Sequence, residues 1–358
     1  MTEQAATTRK PPSRTRRIVQ VLLSLLLVVA IFYYLLKGIS LATVWAEIKA
    51  LTWLEVATLA AIAGWNLCTY AFVWMSVTPG LSFWRAMSMT QATTAVANTV
   101  PAGVGAAIGI GMTYTMLGSW GYSRSRTTTA VLVSGVWNSF IKLGMPVLAL
   151  ALLALQGGAT GGRVVAALLG IAGLVVAVVV FALMLRSEEQ ARRFGLLAGR
   201  VASRLLRMVG RGPVHGWELA TVKFRNRTID LVGHHWVAIT LTSLVSHLSL
   251  YLVLLVCLRD VGVSNVEVGW AEVLAVFAFA RLVTAIPITP GGAGLVEAAL
   301  IAGLIGAGGD KSQVAAAVLI YRALTWALPI LVGVVCYLWW RRQSFTITTP
   351  EPAGVETP

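Results

Sequence analysis

The sequence predicts an all-α polytopic membrane protein, with six full spans and two re-entrant, broken-helix hairpins arranged as inverted repeats. Three observations predict it. The 358 residues are 57% hydrophobic and only 12% charged, with mean hydropathy +0.79. Soluble domains are about a quarter charged, and ~20 apolar residues suffice to span a bilayer. Two apolar segments, 85–118 and 273–309, are each interrupted by clustered Pro and Gly. The cations lie in patches beside apolar runs rather than evenly along the chain.

Residues 1–17 are polar and carry Arg9, Lys10, Arg14, Arg16 and Arg17. The apolar run 18–36 follows. It is long for a secretory h-region and no small-x-small cleavage site closes it, so an uncleaved first span is expected. Trp45 and Trp53 flank the next turn as interfacial anchors, and 54–77 forms span two. The first broken segment, 85–118, centres on Asn98–Gly105 and includes Pro101, Gly103 and Gly105. Span three is 127–155 and span four 164–185. Residues 186–230 form a basic cytoplasmic segment. Phe194, Leu197, Val201, Leu205 and Met208 recur there at helical spacing beside Arg193, Arg200, Arg204, Arg207 and Arg211. That pattern predicts an amphipathic helix on anionic lipid. Span five is 231–258, the second broken segment 273–309, and span six 313–340. A Thr/Pro-rich cytoplasmic tail, 341–358, is expected to be disordered.

Charge counting sets the topology. A single crossing by 85–118 would put 186–230, with ten cations and four acids, outside the cell. The positive-inside rule opposes that. If 85–118 dips in and returns, 20 of the 28 Lys and Arg face the cytoplasm and both termini lie inside the cytoplasmic membrane. The second dip then enters from outside. Two internal echoes fit a repeat: Pro101-Ala-Gly-Val-Gly with Pro290-Gly-Gly-Ala-Gly, offset 189, and Ala130-Val-Leu-Val with Ala317-Val-Leu-Ile, offset 187. The repeats cover about 54–155 and 231–340, inside an integral membrane domain of 18–340. Inverted repeats with discontinuous helices recur in transporters.

A net charge of +14 invites a nucleic-acid reading, but the juxtamembrane placement argues for lipid headgroups instead. Cys68, Cys257 and Cys336 fit neither a zinc site nor a disulfide framework, and packing accounts for them. Gly105-xxx-Gly109 is a helix-packing pattern, and no Walker lysine follows it. No metal or cofactor is expected, and no nucleophile–base pair or ligand cluster suggests an enzyme.

The candidate substrate-binding residues are the ionisable and polar groups placed in apolar spans, where their cost makes function the default reading. Arg281 precedes the second break, which is built from Pro287, Pro290, Gly291, Gly292 and Gly294. Prolines there remove backbone donors and glycines open dihedral space, so the helix must stop and restart. Glu297 is expected about two turns into the restarted helix, paired with Arg281 or Arg322 or facing a headgroup. Arg322 lies nine residues into its span, ~14 Å deep and too far to snorkel easily. In the first repeat Gly135 stands where Arg322 stands, while Asn138 and Lys142 share a helix face. His234 and His235 read as interfacial, and His247 as a hydrogen-bonded packing residue.

The pattern Pro287-x-x-Pro290-Gly291-Gly292-x-Gly294-x-x-Glu297, followed by Tyr321-Arg322 and Pro329, resembles the lysylphosphatidylglycerol synthase transmembrane-region family. The resemblance covers roughly 18–340 and implies a flippase-type domain, here standing alone. Only eighteen residues follow Trp340, so lipid lysylation is not expected of this chain. The expectation is a lipid flippase or carrier of a lipid-linked envelope precursor. The alternative is a non-transporting membrane scaffold that recruits an envelope-synthesis enzyme through 186–230.

Overall fold

A computed structural model describes residues 41–100, 104–156, 161–208, 216–284 and 289–346. The expected first span, the N-terminal tail, most of the C-terminal tail, and Pro101, Gly103 and Pro287 lie outside the described residues. Among the described residues the chain is all-α, with twelve α-helices: α1 (Leu41–Ala50), α2 (Trp53–Val77), α3 (Phe83–Thr99), α4 (Val104–Ser119), α5 (Arg124–Leu155), α6 (Gly161–Arg186), α7 (Glu188–Met208), α8 (Trp217–Asp260), α9 (Trp270–Val283), α10 (Leu295–Gly306), α11 (Lys311–Arg322) and α12 (Leu328–Thr346). Four helical stretches there are long and apolar enough to cross a membrane: Trp53–Val77, Arg124–Leu155, Leu231–Asp260 and Lys311–Gln343. The expected fourth span corresponds to α6, whose apolar stretch Gly170–Arg186 is shorter.

Both broken segments fold as antiparallel helix pairs. In the first, a Cβ on Gly105 would sit 2.6 Å from the Val100 carbonyl, and one on Gly109 would sit 3.3 Å from that of Thr93. α4 therefore runs back along α3, and at Gly105 only glycine permits the approach. In the second pair Gly303 faces Val276, and Gly308 faces the Glu267 carbonyl, so α10 returns along α9. Between lipid-facing helices there is little hydrophobic drive, and such close contacts supply dispersion instead.

The packing partners fall into matched sets. α2 packs on α3 and α5, α3 on α4, and α4 on α5; α8 packs on α9 and α11, α9 on α10, and α10 on α11. Across the halves, α3 lies against α12 while α9 lies against α5, and α2 lies against α8. The α2–α8 contact is antiparallel and polar. Asn66 Nδ2 donates to Ser249 Oγ at 2.6 Å, Thr69 bonds Ser246 at 3.3 Å, and Ser76 lies 3.2 Å from Thr242. The α3–α12 contact closes on Gly333, whose missing Cβ leaves room for the Gln91 carbonyl and Ala95.

Some elements differ from the sequence reading. α5 runs unbroken through Lys142, Gly144 and Pro146, residues that by their type predict an interruption of span three. α8 begins at Trp217, so about 21 Å of helix precedes Leu231 at 1.5 Å per residue. α7 runs antiparallel along that extension: Arg225 donates to the Leu185 carbonyl at 3.0 Å, Asn226 to Glu188 at 2.7 Å, and Gly195 faces Trp217. The buried stripe of α7 is therefore its small residues, Ala191, Gly195 and Gly199, while Leu197 and Val201 stay exposed. The side chains of Leu205 and Met208 lie outside the described residues. The last span is interrupted by a π-turn at Ala323–Ala327. Pro329 lacks an N–H, so the Thr325 carbonyl loses its usual partner, and the Leu328 N–H reaches back to Ala323 instead.

Candidate functional site

The two hairpin tips meet. α3 packs against the short 3₁₀ turn Pro290–Gly292 that closes the second tip. Gly291 sits there at φ +55°, and a Cβ on it would lie 2.7 Å from Asn98 Oδ1 and 2.7 Å from Trp326 Nε1. Glycine is required by conformation and by space. Asn98 Nδ2 in turn approaches the Trp326 carbonyl at 3.4 Å, tying the first tip to the π-turn.

Glu297 and Arg322 pair at this junction. Arg322 Nε donates to Glu297 Oε1 at 2.7 Å, with the two side chains 12% and 5% exposed. A second guanidinium nitrogen reaches the Gly291 carbonyl at 3.4 Å, and the guanidinium lies 5.8 Å from the Trp326 ring centre. α10 begins at Leu295, so Glu297 stands in its first turn rather than about two turns in. The sequence reading started the helix at Pro290; three positive-φ glycines within four residues, Gly291, Gly292 and Gly294, delay it. At this place the carboxylate faces the positive end of the helix as well as Arg322. Its Oε2 is buried without a hydrogen-bond partner, as are Trp326 Nε1 and Thr289 Oγ1. A buried ion pair with unspent acceptor and donor capacity is costly unless something else meets it.

The other predicted residues gather next to this pair, not within it. Arg281, near the tip end of α9, has its Nε buried without a hydrogen-bond partner. It acts electrostatically on Lys142, His247, Tyr70 and Tyr321. Tyr321, buried on α11, lies within electrostatic reach of both Arg281 and Arg322. Asn138 lies one turn before Lys142 on α5 and lines a cavity of about 210 Å³ with Tyr70 and His247. Of the predicted residues, Glu297 and Arg322 are in direct contact, while Arg281, Lys142 and Asn138 form a neighbouring cluster. No acid among the described residues forms a salt bridge with Arg281 or Lys142. Sequence reasoning left Asn98 and Trp326 outside the site. The polar type of Asn98 beside a break, and Trp326 one turn after Arg322, were the available signals.

Among the described residues no group of three metal-ligating side chains occurs. No curated protein matches the sequence. The profile of the lysylphosphatidylglycerol synthase TM region matches residues 21–333, nearly the whole chain. With four apolar spans and that match, the chain is a multi-pass membrane protein and belongs to the lysylphosphatidylglycerol synthase transmembrane-region family.

Proposed function

We propose that the chain is a lipid translocase of the cytoplasmic membrane, moving a phospholipid or lipid-linked envelope precursor. In this reading the two helix pairs are re-entrant hairpins of inverted repeats, entering from opposite faces and meeting at mid-bilayer. The observation that carries it is the junction of the tips. There a buried Glu297–Arg322 pair stands beside Arg281 and Lys142, with which no acid among the described residues forms a salt bridge. Partly buried cations without counter-ions in an apolar bundle invite an anionic group, and a headgroup phosphate supplies one. The matched packing of the two halves and the antiparallel α2–α8 contact support the inverted arrangement. A lateral apolar groove of about 630 Å³ between α3, α4 and α12, bordered by Ile108, Met112 and Val334, suits an acyl chain that stays in the bilayer. This is movement of a lipid, with no bond made or broken.

The test is transport of labelled phospholipids in proteoliposomes. Wild type moves lipid between leaflets, and Arg281→Gln and Glu297→Gln each slow it at least tenfold. Wild type that is no faster than empty liposomes, across phospholipids and polyprenyl-phosphate lipids, contradicts the reading. A second reading, recruitment of an envelope enzyme, is favoured by one observation: exposed Leu197 and Val201 on α7, beside Arg193 and Arg200. Under that reading deletion of 186–230 abolishes function and Glu297→Gln does not.

A further inference from the structure

The cavity between α2, α5 and α8 holds a chemistry that the ion pair does not use. Its polar lining is Tyr70, Ser134, Asn138, Ser243, Ser246 and His247. None of these is a carboxylate, lysine or arginine. His247 is buried, and its Nδ1 lies 3.0 Å from the Ser243 carbonyl oxygen. A carbonyl only accepts, so Nδ1 carries the proton and Nε2 presents a lone pair. That Nε2 is buried and meets no donor. Asn138 and the Ser243 hydroxyl make no hydrogen bond among the described residues. Ser134 donates to the Val131 carbonyl at 3.0 Å and keeps its lone pairs. The set therefore offers donors and acceptors intermixed, on three helices, with no net charge.

A buried acceptor with no donor is costly, because its water partner is lost and nothing replaces it. Groups that each donate and accept, at several points, match such a lining best. These are hydroxyls. At ~30 Å³ per water, 210 Å³ holds about seven waters, enough for a small polyol or a single sugar ring. Lys142 is one turn beyond Asn138, and both Lys142 and Arg281 act electrostatically on His247. A phosphate held by those cations would leave its substituent at the cavity. A second cavity of about 390 Å³, bordered by Thr78, Arg126, Thr129 and Leu231, opens at the end of α2 and the start of α5, part-way along α8. The two are separated by the Ser76–Thr242 contact and by Val77, Val133 and Ile239, which lie in one buried cluster or beside it.

We propose that this cavity binds the polyhydroxylated headgroup of a phosphate-linked lipid, with His247 Nε2 accepting from a headgroup hydroxyl. The assignment rests on the reading of the chain as a lipid carrier and names the class of its cargo. The probes are phosphatidylinositol, phosphatidic acid and free myo-inositol, with binding to the full-length protein in detergent measured by native mass spectrometry and thermal shift. Wild type binds phosphatidylinositol roughly tenfold more tightly than phosphatidic acid, the worth of one or two ordinary hydrogen bonds. The ratio falls toward one in His247→Leu and in Ser243→Val. Stabilisation by myo-inositol alone, lost in the same variants, supports the polyol chemistry with a soluble molecule as its source. Equal affinity for the two lipids in wild type overturns the pocket assignment and leaves the carrier reading standing, as does a preference unchanged in both variants. Failure of wild type to bind either phospholipid overturns this inference, while the carrier reading falls only if the transport assay also fails across phospholipids and polyprenyl-phosphate lipids.

Discussion

Glu297 and Arg322 are separated by 25 residues and joined at 2.7 Å in an interior that solvates neither. Removing one partner strands the other. Glu297→Ala is expected to destabilise the fold by about 3–5 kcal/mol, seen as a fall in thermal midpoint in detergent. Replacing both by Met removes the stranded charge, so Glu297→Met with Arg322→Met recovers most of that stability. The carrier reading requires that this stable double variant still fail to move lipid; transport at the wild-type rate would make the pair structural. Gly291 offers a second test. Gly291→Ala adds a left-handed alanine and a Cβ 2.7 Å from Asn98 Oδ1, at a cost on the order of 1–3 kcal/mol. Shortening Asn98 to Ala in the same chain relieves that overlap but neither the one with Trp326 Nε1 nor the backbone strain, so recovery is partial. Glu297 and Arg322 were legible in the sequence because charge inside an apolar run stands out. Asn98 and Trp326 were not, because their meeting spans 228 positions and depends on how two tips approach.

Helix ends and helix contacts follow different rules. The breaks at α3–α4 and α9–α10 were legible because Pro and Gly disrupt helices locally, whatever surrounds them. The start of α10 was misplaced, since each glycine after Pro290 adopts a conformation the sequence alone does not choose. α7 shows the same limit. Its periodicity laid Leu197 and Val201 on lipid, and they are exposed; what it did not mark is the small stripe of Ala191, Gly195 and Gly199 that packs on α8, where close approach needs small side chains. Gly333 carries that rule at the α3–α12 contact. Gly333→Leu would force the helices apart at Gln91 and Ala95 and weaken thermal stability more than the same change at Gly306, which has open space around it.

Asp310 caps α11 outside the spans. Its carboxylate accepts from Ser312 N at 2.9 Å and Gln313 N at 3.1 Å. Hydrogen bonds from Ser312 and from the Gln313 amide hold its pKa below the ordinary carboxylate value. A depressed folded-state pKa contributes stability that is present above the unfolded pKa of ~3.9 and is lost as pH falls through the folded value. Asp310→Ala is expected to cost ~1 kcal/mol at neutral pH, and the difference from wild type shrinks below about pH 4. A difference that grows on acidification contradicts the capping account.

At the scale of the whole molecule, the two halves share a packing scheme in which equivalent helices α2 and α8 run antiparallel. The inverted arrangement proposed for them agrees with the charge distribution, because cations sort to one face of a bilayer whatever the fold does in between. The cavity between α2, α5 and α8 was not forecast. Asn138 was marked, but Tyr70, Ser243 and His247 come from spans whose polar residues look like ordinary helix-to-helix hydrogen bonds until the three helices are assembled.

The central claim is that the hairpins enter from opposite faces and meet at their tips. Thiol labelling from one side of the membrane tests it, in a chain with Cys68, Cys257 and Cys336 replaced by Ala and a single new cysteine at Ser82 or Val266. Ser82 precedes the first hairpin, and Val266, 97% exposed, precedes the second. An impermeant maleimide added to intact cells is expected to label Val266→Cys and not Ser82→Cys, with the reverse in inside-out vesicles. Labelling of both positions from the same side would contradict the account.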